Sequence, residues 1–349
     1  FAGVDIFFVL SGYLITQILL EALDNNRFSL REFYQRRIRR LFPALYAMMA
    51  VTLLAGLIIL PPKLLSELVF TQFFTTLFMS NFAFARLTAY FDTAASLKPL
   101  LHTWSLGVEE QFYLVYPVVL MLIHRYFKRG LWLTLAALAG GSLVLAYFSI
   151  QTHAETAFYL PLPRAFELLI GALCVGLQPH IVLSDMLKRG VSQVALLGLV
   201  ASLVFINDTL PFPGPWALIP CLATAALLVT QDARGNHLLA FPALAKVGDM
   251  SYSLYLWHWP VLVFARILLG DSLWVAFGAL IMAFVTSIAS RRYIEEPFLA
   301  LGHRLSTRIW SAQTIWRAAA SVMTTSLILC LAIYAAKGLP FRFSPAEQD

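Results

Sequence analysis

The sequence predicts an all-α polytopic transmembrane bundle, and three observations carry that expectation. The chain is 60 % apolar and 13 % charged. Its mean hydropathy is +0.75, well above that of a soluble domain of similar size. Apolar runs recur from one end to the other, each long enough, at about 1.5 Å per residue, to cross a hydrocarbon core of about 30 Å.

Taken in order, the candidate segments are 4–22, 41–60, 66–86, 106–124, 131–150, 160–178, 191–207, 216–230, 251–269, 273–290 and 315–336. Loop charge arranges them. The stretch 27–40 holds six arginines and is expected in the cytoplasm. If every segment spanned, "HRYFKRG" (124–130) and "DMLKRG" (185–190) would fall outside, against the rule. The segment 66–86 carries Gln72, Ser80, Asn81 and Arg86. If it is interfacial or re-entrant, the loops 23–40, 125–130, 179–190, 231–250 and 291–314 all lie inside with their lysines and arginines. The loops 151–159, 208–215 and 270–272, which have none, lie outside with 61–105. About ten spanning helices result, with both ends extracytoplasmic, and the non-spanning segment must be covered by protein. No internal repeat is visible, which weakens an inverted-repeat transporter reading.

The formal net charge of +6 sits in short loops, where it orients helices and meets anionic headgroups, so nucleic acid is not an expected partner and membrane lipid is. Cys174, Cys221 and Cys330 lie inside apolar segments without CxxC spacing, which points to neither a metal site nor a disulfide framework. The chain opens on Phe1 and runs at once into "GVDIFFVLSGYLI", with no charged leader. It reads as clipped from something longer, as does the closing "LPFRFSPAEQD".

An ionised side chain at the bilayer centre costs roughly 2.5 to 3.5 kcal/mol, so charges inside such segments are paired or functional. Four clusters stand out. In "SLREFYQRRIRR", Arg37 and Arg40 are three apart and share a helix face, suited either to gripping one anion through guanidinium forks or to anchoring topology. In "LLHTWSLGVEEQFYLVYP", His102, Trp104 and Ser105 precede the adjacent Glu109 and Glu110. These carboxylates point about 100° apart, so at most one faces a given site, as general base or as partner to an arginine. In "PRAFELLIGAL", Arg164 and Glu167 at i, i+3 either neutralise each other or face Glu109. In "SYSLYLWHWPVLVF", His258 lies beside the helix-kinking Pro260 and is either catalyst or scaffold, while Glu295 and Glu296 sit among Arg291 and Arg292, where ion pairing is expected. Ser11 and Gly12 in "LSG" lack the context of a nucleophile elbow and are expected to serve helix packing.

Taken together and in order, "GVDIFFVLSGYLIT", "FYQRRIRRLFPALY", "YFDTAASLKPLLHTWSLGVEEQFYLVYP", "PLPRAFELLIGAL", "SYSLYLWHWPV" and "RRYIEEPF" resemble the integral-membrane acyltransferase 3 family, which includes O-antigen and peptidoglycan O-acetyltransferases. The resemblance implies an acyltransferase membrane domain over 1–300. It also implies a connecting segment over 301–349, with a helix near 315–336, leading in the parent chain to an extracytoplasmic SGNH esterase-like domain. It places the family's RxxR motif on Arg37 and Arg40, as the binding residues for acyl-CoA, and the WSLxxE glutamate on Glu109. The ExP glutamate falls on Glu295. Glu109 and His258 are the candidate catalytic residues; His102, Trp104, Ser105, Arg164, Glu167 and Glu295 are substrate-binding or structural. The family's proposed catalytic histidine precedes this chain's start.

The resemblance therefore implies transfer of an acyl group, by family analogy acetyl, from cytoplasmic acetyl-CoA to a hydroxyl of a cell-envelope glycan outside the bacterial cytoplasmic membrane. No tightly bound cofactor and no metal are implied. A transporter or flippase of a lipid-linked sugar uses the same kind of buried charge and is the alternative.

Overall fold

The computed structural model describes residues 2–90, 97–206, 210, 212–230, 239–299 and 312–342. The expected tail 343–349, and parts of the expected loops 61–105, 208–215, 231–250 and 291–314, lie outside the described residues. Thirteen α-helices are described: α1 (Ala2–Asp24), α2 (Leu30–Ile59), α3 (Pro62–Thr76), α4 (Ser80–Tyr90), α5 (Thr103–Tyr126), α6 (Leu131–Tyr159), α7 (Pro161–Leu177), α8 (Asp185–Phe205), α9 (Leu218–Val229), α10 (Pro242–Asp249), α11 (Ser251–Leu269), α12 (Leu273–Ser290) and α13 (Ala312–Ala335). Eight of them, α1, α2, α5, α6, α8, α11, α12 and α13, are long and apolar enough to cross a membrane. The sequence counts two more spans, at 160–178 and 216–230. There α7 has 17 residues and α9 has 12, shorter than the eight. Large apolar side chains such as Leu14, Ile58, Leu197, Val204 and Leu331 point outward, as a lipid surroundings allows and water does not.

The non-spanning segment has a definite form. Residues 66–86 divide into α3, of 15 residues, and α4, of 11, interrupted at 77–79 where Phe78 takes φ 55°. Neither helix reaches across about 30 Å at about 1.5 Å per residue. The polar residues that marked the segment, Gln72, Ser80 and Asn81, are buried in protein, the condition for irregular backbone at this depth.

Two compact units are distinguished: residues 1–28 with 108–245, and residues 29–107 with 246–349. Within the first, α1 packs along α7 at backbone distance. A side chain at Gly12 would run into the Leu168 carbonyl, and one at Gly171 into the Val9 carbonyl, so each helix presents its glycine to the other's backbone. Leu160 alone joins α6 to α7, and Pro161 opens α7 where its missing N–H costs nothing. Ser142 of α6 completes the hairpin, donating to the Leu162 carbonyl (2.6 Å) and accepting from the Phe166 N–H (2.8 Å). The core here is Val9, Ala146, Phe166, Phe212, Ala217 and Cys221.

In the second unit α2 begins earlier than its apolar run. Ser29 accepts from the Glu32 N–H (3.4 Å), the S-x-x-E capping pattern, and the helix then takes in the whole arginine stretch. At 30 residues α2 is about 45 Å long, so its arginine-bearing turns extend past the hydrocarbon that its apolar part fills. Helix α13 packs on α3, with Thr76 and Ser326 hydroxyls 2.8 Å apart. The Arg342 guanidinium reaches the Leu57 and Leu60 carbonyls, placing a cation on the carbonyl end of α2.

Candidate active site

Glu109 is reached first from the residues beside it in the first unit. It lies on α5, 4 % exposed, and its Oε1 accepts from Ser11 Oγ of α1 (2.6 Å) and from Tyr113 Oη one turn on (2.8 Å). A buried carboxyl group needs such partners, and the two hydroxyls supply them. Five residues along α1, Thr16 meets the Tyr116 hydroxyl at 2.7 Å, so α1 and α5 are stitched at two levels. Gly12 serves packing as its sequence context suggests, but Ser11 does more, because its hydroxyl orients the Glu109 carboxylate.

Arg164 and Glu167 pair as i, i+3 spacing allows, at 2.7 Å, and both are fully buried. The sequence reading left out their third member. Asp5 accepts from the same guanidinium nitrogen at 3.0 Å, so one cation stands between two carboxylates from α1 and α7. Arg164 Nε donates to the Phe158 carbonyl (3.1 Å), and the guanidinium lies 4.6 Å and 5.0 Å from the Phe158 and Phe212 ring centres. An aspartate in the first turn of an apolar helix was the available signal for this site.

In the second unit the arginine run and the ExP glutamate come together. Arg40 is exposed and Arg37 half-buried. Arg36 pairs with Glu32 at 3.8 Å on the surface, a contact worth little. The Tyr252 hydroxyl of α11 donates to the Leu41 carbonyl (3.0 Å) just after the run. Glu295 is buried at the end of a π-helical turn, Arg291–Glu295. Pro297 lacks the N–H that would close an ordinary turn onto Tyr293, a reason for the wider one. Glu295 accepts from the Ser253 hydroxyl, lies 3.8 Å from Arg291, and feels the positive charge of Arg40. Glu296 also meets Arg291, at 3.5 Å. The expected ion pairing thus centres on Arg291, and Arg292 instead lies near the Tyr293 ring.

His258 directs Nδ1 at the Tyr255 carbonyl (2.7 Å) and the Leu254 carbonyl (3.2 Å). His102, 7 % exposed, stands edge to face with it, ring centres 5.5 Å apart. Burial pushes the His102 pKa well below its usual value, and the neighbouring His258 adds to the shift. Trp104 and Ser105 are buried beside them, and Ser105 Oγ lies 2.7 Å from the Tyr255 hydroxyl. Tyr255, Tyr113 and Ser253 escaped the sequence reading because a hydroxyl on an apolar helix gives no charge signal. Glu109, Arg164 and Glu167 belong to the first unit and the other candidates to the second.

Helices of spanning length, ionised groups buried among them and hydroxyl-bound carboxylates define a multi-pass membrane protein with a polar interior. The chain belongs to the acyltransferase 3 family: residues 1–292 match the family described as an acyltransferase domain. It is similar to the peptidoglycan O-acetyltransferase OatA of Listeria monocytogenes, 31 % identical over 85 % of this chain and 51 % of the relative. It is also similar to the putative peptidoglycan O-acetyltransferase YrhL of Bacillus subtilis, 32 % identical over 88 % of this chain and 52 % of the relative. An uncharacterized protein of Haemophilus influenzae is 33 % identical over 65 % of this chain and 98 % of its own length. The chain spans about half the length of the two named relatives. No solved structure matches it.

Proposed function

We propose that this chain is the membrane part of an O-acyltransferase that moves an acetyl group from cytoplasmic acetyl-CoA to a hydroxyl of an extracytoplasmic cell-envelope glycan, peptidoglycan being the acceptor its relatives' names favour. The observation that carries the reaction class is the acyltransferase domain match over residues 1–292. In the reaction a sugar hydroxyl oxygen attacks the thioester carbon, the hydroxyl proton passes to a base, and CoA leaves as the thiol. Arg37 and Arg40 meet the donor's phosphates at the cytoplasmic face, for which an arginine run extended past the hydrocarbon is suited. Glu109, held by two hydroxyls, is a carboxyl group positioned to accept or relay that proton. The histidine that the family resemblance implies for a preceding helix acts with Glu109. The membrane is the bacterial cytoplasmic one, with the 27–40 stretch inside.

The test is incubation of the full-length protein in vesicles with radiolabelled acetyl-CoA and envelope glycan. Label on the glycan is expected, lost with Glu109→Gln. Movement of glycan without label identifies a carrier instead and overturns the reading.

A further inference from the structure

Helices α2, α11 and α12 of the second unit enclose a cleft of about 550 Å³, a volume within the range of small-molecule sites. Its walls are apolar: Val51 and Ala55 from α2, Phe264 and Leu268 from α11, Gly278 and Met282 from α12. None of the roles given above uses this space.

The cleft has two unlike ends. The first turn of α11 is tied to the arginine run through Tyr252 and the Leu41 carbonyl. Trp257 lines the cleft about 9 Å along α11 from Ser251, at the end nearer that run. It is 8 % exposed, and its Nε1 has no acceptor among the described residues. A buried N–H left unbonded is a net loss that phenylalanine would avoid. The other end, about 17 Å further toward the α11–α12 turn, is formed by Leu268, Leu269 and the exposed Trp274.

That polarity selects an occupant. A chain with a carbonyl at one end and hydrocarbon beyond fits with its carbonyl at Trp257 and its tail toward the turn. A bilayer lipid entering from the turn holds its ester at that rim and sends its tail to Trp257, the wrong way round. A thioester delivered from the arginine end has the right sense. On α2, Arg37, Arg40, Ala44, Met48, Val51 and Ala55 recur at three and four residues, so the run and the cleft share one helix face. Arg40 and Ala55 lie about 22 Å apart along the axis, a span that a pantetheine arm and its acyl group cover together.

We propose that this cleft seats the acyl chain of the CoA donor, with Trp257 Nε1 donating to the thioester carbonyl, so that acyl groups longer than acetyl are also transferred. The proposal rests on the acyl-CoA reading above and widens its substrate class. The bonds are those already written: the sugar oxygen bonds the acyl carbon, the C–S bond breaks, the hydroxyl proton goes to the base and CoA leaves as the thiol.

The experiment uses the full-length protein in proteoliposomes with envelope glycan and acetyl-, butyryl-, hexanoyl- and octanoyl-CoA, each labelled in the acyl group. Initial rates are measured for the parent, Gly278→Leu and Trp257→Phe, with melting in detergent alongside. The parent is expected to transfer octanoyl with kcat/KM within about tenfold of acetyl. A side chain at Gly278 meets nothing within 4 Å, so Gly278→Leu fills the cleft without a clash. It should lower kcat/KM for octanoyl relative to acetyl about tenfold or more, and melt no lower than the parent, since a glycine has left a helix interior. Trp257→Phe should raise KM for all four donors about fivefold, the worth of one hydrogen bond.

A parent that transfers acetyl alone overturns the acyl site, as does an octanoyl-to-acetyl ratio in Gly278→Leu within about twofold of the parent's. Unchanged KM values in Trp257→Phe overturn the part given to its N–H. If the parent labels glycan with none of the four donors, the functional reading falls. Saturable quenching of tryptophan fluorescence by octanoyl-CoA, weakened in Gly278→Leu, then leaves the acyl site standing, and its absence removes that too.

Discussion

Arg164→Met isolates what holds α1 against α7. The guanidinium lies 3.0 Å from Asp5 and 2.7 Å from Glu167, all three side chains fully buried. At an effective dielectric near 20, each contact with the guanidinium attracts with about 5 to 6 kcal/mol, most of which is offset by removal of the groups from water and by the repulsion of Asp5 and Glu167, which also meet each other. Deleting the cation takes away the attraction and leaves two carboxylates 0 % exposed with no counterion from this residue. The expected loss is about 3 to 5 kcal/mol, a fall in melting temperature in detergent on the order of 10 °C. The triple variant Asp5→Leu, Arg164→Met, Glu167→Leu removes all the charges and is expected to regain most of the stability, because apolar replacement of a buried ionic cluster is commonly neutral or better. Differential scanning fluorimetry on the purified variants reads both. A single variant that melts with the parent, or a triple variant that melts below the single one, refutes the reasoning.

Gly12→Ala places a methyl against the Leu168 carbonyl and should cost about 1 to 3 kcal/mol, whereas Gly141→Ala, with nothing within 4 Å, should gain up to about 1 kcal/mol; thermal melts of the pair check this. The His102 pKa is lowered by folding, so the unfolded chain binds the extra proton and stability from this group is present above about pH 6.5 and lost as pH falls below it. Melting temperatures at acid and neutral pH should differ less in His102→Leu than in the parent. Ser253→Ala removes a hydroxyl donor from buried Glu295 and should destabilise by about 1 to 3 kcal/mol, read by unfolding in mixed micelles, while Ser251→Ala on the exposed face should be silent.

Much of the molecule was legible in the amino-acid order. Hydrophobic runs located the spanning helices, and the polar residues at Gln72, Ser80 and Asn81 marked the segment that breaks into α3 and α4. Charges inside apolar runs located the candidate residues Glu109, Arg164 and Glu167, and the family resemblance added Glu295; all four are buried. Periodicity and charge are local properties, written in consecutive residues.

Partnership is not local, and there the tertiary structure decided. Asp5 meets Arg164 across 159 positions, Ser11 meets Glu109 across 98, and Tyr255 meets His102 across 153. Each pairing depends on which helix faces land together, which small residues such as Gly12 and Gly171 settle by letting two backbones approach. The sequence by itself determined that this chain must live in a bilayer and must place charges inside it, because hydropathy leaves no other solvent. Which charge neutralises which, and which hydroxyl orients which carboxylate, follow only from packing, because a hydrogen bond reaches about 3 Å and the chain must fold before such distances exist.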